Sequence, residues 1–196
     1  MSYVAQIKEG EGPLVLALHG TGGDEHQFFG LAGDLVPAAT IVSPRGDVSE
    51  MGAARFFKRT GEGVYDMEDL ARAVDKMANF VEGFAHAGPV YAFGYSNGAN
   101  ILAATLLRYP GLFDRVGLLH PLIPWTPESV DMSGKDVLIT AGKRDPITPW
   151  AESQKLLTYF EAQGARVSKV VHEGGHELRR EELIALQSLM STPVAA

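Results

Sequence analysis

Five consecutive apolar residues, Leu14-Val15-Leu16-Ala17-Leu18, begin the pattern that most constrains this chain. A strand with one wet face alternates apolar and polar residues. An unbroken apolar run instead suits a strand covered on both faces, as in a parallel sheet flanked by helices. Short runs of this kind return at Thr40-Ile41-Val42-Ser43, at Val90-Tyr91-Ala92-Phe93, and over residues 115–119, 136–140 and 167–171. Between them lie longer segments of helical period, read as helices over residues 25–36, 99–109 and 178–190, with another opening at Thr148-Pro149 and running to 163. The clearest helix follows Tyr65. Asp66 can cap it, Leu70, Ala71, Val74, Met77, Ala78, Val81 and Phe84 recur at spacings of three and four, and Gly88-Pro89 stops it. Residues 44–64, which include Pro44, Gly46, Gly52, Gly61 and Gly63, read as a long loop. Strand and helix in alternation predict an α/β fold: a mostly parallel central sheet with helices on both faces. Ligands of such sheets bind beyond the carboxyl ends of the strands, and the glycine and polar clusters fall there.

Composition narrows the function classes. At 196 residues the chain is expected to be one domain, 1–196. It has no cysteine, which excludes a disulfide framework, a thiolate metal site, an iron-sulfur centre and a cysteine nucleophile. Its 24 acids outnumber 17 bases, giving a net charge of -7, and its densest basic clusters are only Arg55 to Arg59 and Arg179-Arg180. Nucleic acid and anionic membranes are therefore poor partners. No apolar stretch approaches the roughly 18 residues that cross a bilayer, so no membrane insertion is expected. Residues 1–9 lack the pattern of a secretory signal, so a cytoplasmic location is expected.

The glycines point to chemistry. Gly94-Tyr95-Ser96-Asn97-Gly98 matches G-x-S-x-G and stands between a predicted strand and a predicted helix, the context in which that motif holds a nucleophilic serine on a tight turn. The bland alternative is an ordinary turn with an incidental serine. A dinucleotide fingerprint would need glycine where Ser96 stands.

A serine hydroxyl needs a base, and the base needs an orienting carboxylate, in the chain order Ser, Asp or Glu, His. Only His172 and His176 lie beyond residue 125. His172 ends an alternating strand, whereas His176 follows Gly174-Gly175 in the loop before the last helix and is the better base. Asp145 leaves the carboxyl end of the preceding strand and is the expected acid. A turn aspartate bonding its own backbone is the alternative. The oxyanion would take the backbone N–H of Asn97 and a second from His19-Gly20-Thr21-Gly22-Gly23, with Thr21 preferred over Gly22.

His172-Glu173-Gly174-Gly175-His176 is also a literal H-E-x-x-H. Zinc hydrolases place that motif on a helix, which a Gly-Gly interior opposes, and no third ligand follows. No metal and no cofactor are expected.

Together these blocks resemble the α/β-hydrolase superfamily, and within it the chain is similar to the small phospholipase/carboxylesterase group, which includes acyl-protein thioesterases. The matching blocks run from Leu14 to His176. The resemblance implies a serine esterase with Ser96, Asp145 and His176 as its triad and no cofactor. Dienelactone hydrolases are similar in size but use a cysteine, absent here.

Hydrolases of this fold commonly carry a lid between the strands that here end near Leu119 and begin near Asp136. The 120–135 segment is too short for one, so an open, shallow site is expected. Phe56, Phe57, Leu122, Ile123, Trp125, Ile147 and Trp150 are candidate pocket walls, though each would serve equally as core. Arg45 either binds a substrate anion or braces its loop. The reading is hydrolysis of small or medium acyl esters through an acyl-enzyme, with a small-molecule ester as partner. Thioesterase or lysophospholipase activity on the same triad is the nearest alternative, and a non-catalytic ligand-binding protein of this fold is the alternative from another class. The oligomeric state stays open, a homodimer included.

Overall fold

The computed structural model describes residues 3–84 and 88–191. Its centre is a seven-stranded sheet built from β1 (Ala5–Lys8), β2 (Leu14–Leu18), β3 (Thr40–Pro44), β8 (Val90–Tyr95), β9 (Arg115–Leu119), β10 (Asp136–Gly142) and β11 (Arg166–His172). The order is β1-β3-β2-β8-β9-β10-β11, parallel throughout except for β1, which pairs antiparallel with β3 at one edge. Among the described residues five helices accompany the strands: α1 (Phe29–Leu35), α2 (Met67–Glu82), α3 (Asn97–Arg108), α4 (Trp150–Ala162) and, after the last strand, α5 (Arg180–Ser191).

The apolar run that opens the sequence is buried at all five positions. Leu14, Leu16 and Leu18 pack on one face with Leu70, Val74, Ile101, Leu102 and Phe160 of α2, α3 and α4. Val15 and Ala17 pack on the other with Ala32, Leu35, Leu186 and Met190 of α1 and α5. Burying each such aliphatic side chain contributes roughly 1.5–3 kcal/mol, so the two-sided run holds both helical layers on the sheet. α2 begins as its sequence demands: the Asp66 carboxylate accepts from the Asp69 N–H at 3.0 Å, and Leu70, Val74, Met77, Ala78 and Val81 form the buried stripe.

Several boundaries differ from the sequence reading. Residues 44–64 are not a plain loop but carry two hairpins, β4 (Val48–Glu50) with β5 (Ala53–Arg55) and β6 (Arg59–Gly61) with β7 (Val64–Tyr65). The first turns through Met51 and Gly52, at φ 50 and 90°, the pair of positive φ values that a two-residue hairpin turn requires. α1 begins at Phe29 rather than 25, and α4 at Trp150 with Pro149 in the cap position. Thr148 does not cap α4; its own N–H donates to Asp145 Oδ1 at 2.9 Å. Among the described residues no helix is long and apolar enough to cross a membrane.

Candidate active site

Three parallel strands, β8, β10 and β11, bring the candidate residues to one end of the sheet, with β9 between the first two. β8 ends in Tyr95, and Ser96 follows at φ 53° and ψ -117°, a conformation that L-residues rarely adopt, before α3 begins at Asn97. The turn is tight enough that a Cβ on Gly94 would stand 2.5 Å from the Gly98 carbonyl oxygen. One on Gly98 would stand 2.5 Å from the carbonyl oxygens of both Leu18 and His19. Glycine at both ends is thus a steric requirement.

β10 and β11 run out beside this turn. Ser96 Oγ lies 2.9 Å from His176 Nε2, and His176 Nδ1 lies 2.6 Å from Asp145 Oδ2. The arrangement suits a neutral imidazole that accepts from the serine hydroxyl and donates to the carboxylate. Asp145 also does what its alternative reading proposed, since its Oδ1 accepts the N–H groups of Ile147 and Thr148 at 2.8 and 2.9 Å. Burial opposes its charge, but hydrogen bonds from His120, His176 and these two amides hold the carboxyl well below the usual carboxylate range. The x of the motif contributes too: Tyr95 OH donates to the His176 carbonyl at 2.6 Å, anchoring the loop that presents the imidazole.

The amides of the β2 loop are mostly engaged. Gly20 N–H donates to Gln27 Oε1, Gly22 N–H to Ala54 O and Gly23 N–H to Gly20 O. Among the described residues no acceptor meets the Thr21 N–H, and Thr21 and Asn97 both line the cleft beside Ser96. That cleft holds about 260 Å³, and Leu122 and Ile147 are its apolar walls.

The other expected walls are elsewhere. Phe56 and Phe57 are fully buried in the core, and Trp150 packs against the same cluster. The hairpin insert turns these phenylalanines inward and presents Arg55, Arg59, Glu62 and Tyr65 to the cleft instead. Ile123 and Trp125 line a separate groove with Tyr159. Arg45 does not line the cleft; its Nε and Nη2 donate to the buried Glu25 carboxylate at 2.5 and 2.6 Å, so it braces the loop.

His172-Glu173-Gly174-Gly175-His176 is strand end and bend rather than helix, so its two histidines diverge. His176 meets Ser96. His172 is buried, and its Nδ1 accepts from the Gly174 N–H at 3.0 Å. Its Nε2 lies 3.4 Å from Glu182 Oε2. The donor atoms of His120, His172 and Glu182 lie within 4.8 Å of one another, as do those of His120, Asp145 and His176. Among the described residues these are the sets close enough for an ion. In the first, His120 Nε2 is 2.9 Å from Glu182 Oε1 and the Arg179 N–H donates to Glu182 Oε2; in the second, both imidazoles face Asp145 Oδ2. Sequence reasoning missed His120 and Glu182. The available signal was a histidine at the carboxyl end of a central strand.

The sheet order, the Ser96 turn and the converging strand ends define an α/β-hydrolase fold. No family model matches the chain. It is 41% identical over 175 residues to a Bacillus subtilis protein named "Putative hydrolase MhqD", across 86% of this chain and 88% of that one. A structure from Agrobacterium tumefaciens, Atu2452, of unknown function, is 51% identical, covers 96% of this chain and 95% of its own, and superposes with a TM-score of 0.91. A Bacillus cereus carboxylesterase is 35% identical over 96% of this chain and 92% of its own, with a TM-score of 0.87. The chain belongs to the phospholipase/carboxylesterase family of α/β-hydrolases and is a carboxylesterase-type hydrolase.

Proposed function

We propose that Ser96, His176 and Asp145 form the catalytic triad of a serine esterase acting on small acyl esters. The observation that carries this reading is the unbroken line of contacts from Ser96 Oγ through the imidazole to Asp145 Oδ2, at 2.9 and 2.6 Å, opening on the cleft. His176 takes the hydroxyl proton as Ser96 Oγ attacks the ester carbonyl, and Asp145 stabilises the imidazolium that forms. The Thr21 and Asn97 amides receive the developing oxyanion, the latter at the N-terminus of α3, where the helix dipole adds to the stabilisation. His176 then protonates the leaving alcohol, and a water, deprotonated by the same imidazole, releases the acid from Ser96.

The cleft supports short acyl groups over long ones. Its volume is only about 260 Å³, and the aliphatic Leu122 and Ile147 share its lining with Thr21, Arg55, Arg59, Tyr65 and Asn100. An organophosphonate should add one covalent group to Ser96, and Ser96→Ala should abolish it; equal labelling of the variant would refute the assignment. A series of p-nitrophenyl esters should show kcat/KM falling beyond short chains. Matched thioesters and lysophospholipids, run beside them, separate the three substrate classes.

A further inference from the structure

Behind the proposed acid lies a buried set of charges that the triad does not require. His120 directly follows β9 at φ 53°, a left-handed conformation uncommon for a residue with a side chain, and is fully buried. Its Nδ1 lies 3.0 Å from Asp145 Oδ2, the oxygen that also faces His176, and its Nε2 lies 2.9 Å from Glu182 Oε1. Both carboxylates have fully buried side chains. An ionised carboxylate can only accept, so an imidazole between two of them makes both contacts only when both its nitrogens carry protons.

The groups facing His120 come from every element around it: Asp145 from the loop after β10, Glu182 from α5, His172 from β11, His176 from its loop and Tyr95 from β8. Burial alone would strip its proton, but the hydrogen bonds it donates to Asp145 and Glu182 outweigh burial and push it up to about 9. Glu182 is held in place in turn, because its Oε2 accepts the Arg179 N–H at 2.6 Å.

We propose that His120, kept as an imidazolium by Glu182, is a positioning residue that fixes Asp145 Oδ2 against His176 and draws off part of that carboxylate's charge. The inference rests on the triad reading. It has a chemical consequence. With a cation already on Oδ2, less of the Asp145 charge is available to the His176 imidazolium that forms when the serine proton is taken. The same contact stops the carboxylate from rotating when His176 moves between Ser96 and the leaving group.

Two measurements test this. In ¹⁵N-histidine NMR of the intact protein, one imidazole should keep both nitrogens protonated at pH 7.5, and its signals should vanish in His120→Gln; a spectrum without such a histidine overturns the proposal. In the pH profile of kcat/KM for a short p-nitrophenyl ester, His120→Gln should move the acid-side fall in activity upward by about one pH unit, the shift expected when one neighbouring charge is removed. A lower rate with an unmoved profile would mean a merely structural role and also overturns it. If His120→Gln does not fold, Glu182→Gln keeps the shape and the acceptor while removing the charge. His120 should then lose its proton at lower pH, and an unchanged titration counts against the proposal. Phosphonate labelling at Ser96 reads the triad separately: labelling retained with an unmoved profile rejects only the role of His120, whereas labelling lost from wild type rejects the triad.

Discussion

The Phe56 N–H donates to Asn97 Oδ1 at 2.8 Å, and both residues are buried. This bond fastens the hairpin insert to the residue that follows Ser96, so the wall carrying Arg55 and Arg59 is fixed to the turn rather than laid over it. Asn97→Ala leaves the Phe56 amide without its acceptor, at a cost of about 1–3 kcal/mol. Thermal unfolding should fall by roughly 2–4 °C for each kcal/mol lost. An unchanged Tm would show that the insert is held by other contacts.

Ser96 stores backbone strain. At φ 53° and ψ -117° its Cβ is disfavoured, and such a residue carries of order 1–3 kcal/mol. The usual preference for alanine over glycine should therefore invert here. Ser96→Gly should unfold at higher denaturant concentration than Ser96→Ala, by about 1 kcal/mol in a urea titration, with both inactive. Equal midpoints would mean that the turn is relaxed.

Arg45 and Glu25 form a two-point ion pair in which the carboxylate is buried and the guanidinium half exposed. Arg45→Met leaves Glu25 desolvated without its cation. The expected result is a lower Tm with an unchanged KM for short esters. A raised KM with an unchanged Tm would place Arg45 in substrate binding after all.

Two buried histidines give the stability curve opposite slopes. The neutral form of His19 donates through Nδ1 to Gly20 O and accepts the Gly46 N–H at Nε2, and burial lowers its pKa. It therefore costs stability as pH falls below about 6.5. His120 is raised to about 9, so its contribution is complete below the ordinary histidine value of about 6.5 and is lost as pH rises through about 9. Chemical denaturation should show maximal stability near neutrality, and His120→Gln should flatten the alkaline decline. A wild-type curve flat from pH 6.5 to 9.5 would contradict the charge assigned to His120.

Much of this was legible in the chain because local physics and global fold agree. The run from Leu14 to Leu18 could only be covered on both sides, Asp66 had the side chain its helix start needed, and Ser96 lay between glycines whose absent side chains the turn demands. What was not legible depends on long-range placement. Phe56 and Phe57 looked like pocket walls because apolar residues beside a site have two uses, and only the hairpin geometry decides which way they turn. His120 and Glu182 stand 62 positions apart, and no local pattern links them. β1 was missed because four residues at an antiparallel edge carry too little periodicity to read.

The absent side chain at Gly98 has a consequence for how the site can be studied. The end of β2 and the start of α3 meet there through main chain alone, so the closeness of the segments that carry the Thr21 and Asn97 amides is set at a glycine. Alanine scanning, which deletes side chains, would pass over both amides and report only on a hydroxyl and a carboxamide. The spacing of those two N–H groups yields to mutation only by addition, where a glycine is filled and the two backbones are forced apart. Neutral drift can therefore rewrite much of the surrounding sequence while this position, like Gly94, stays closed to it.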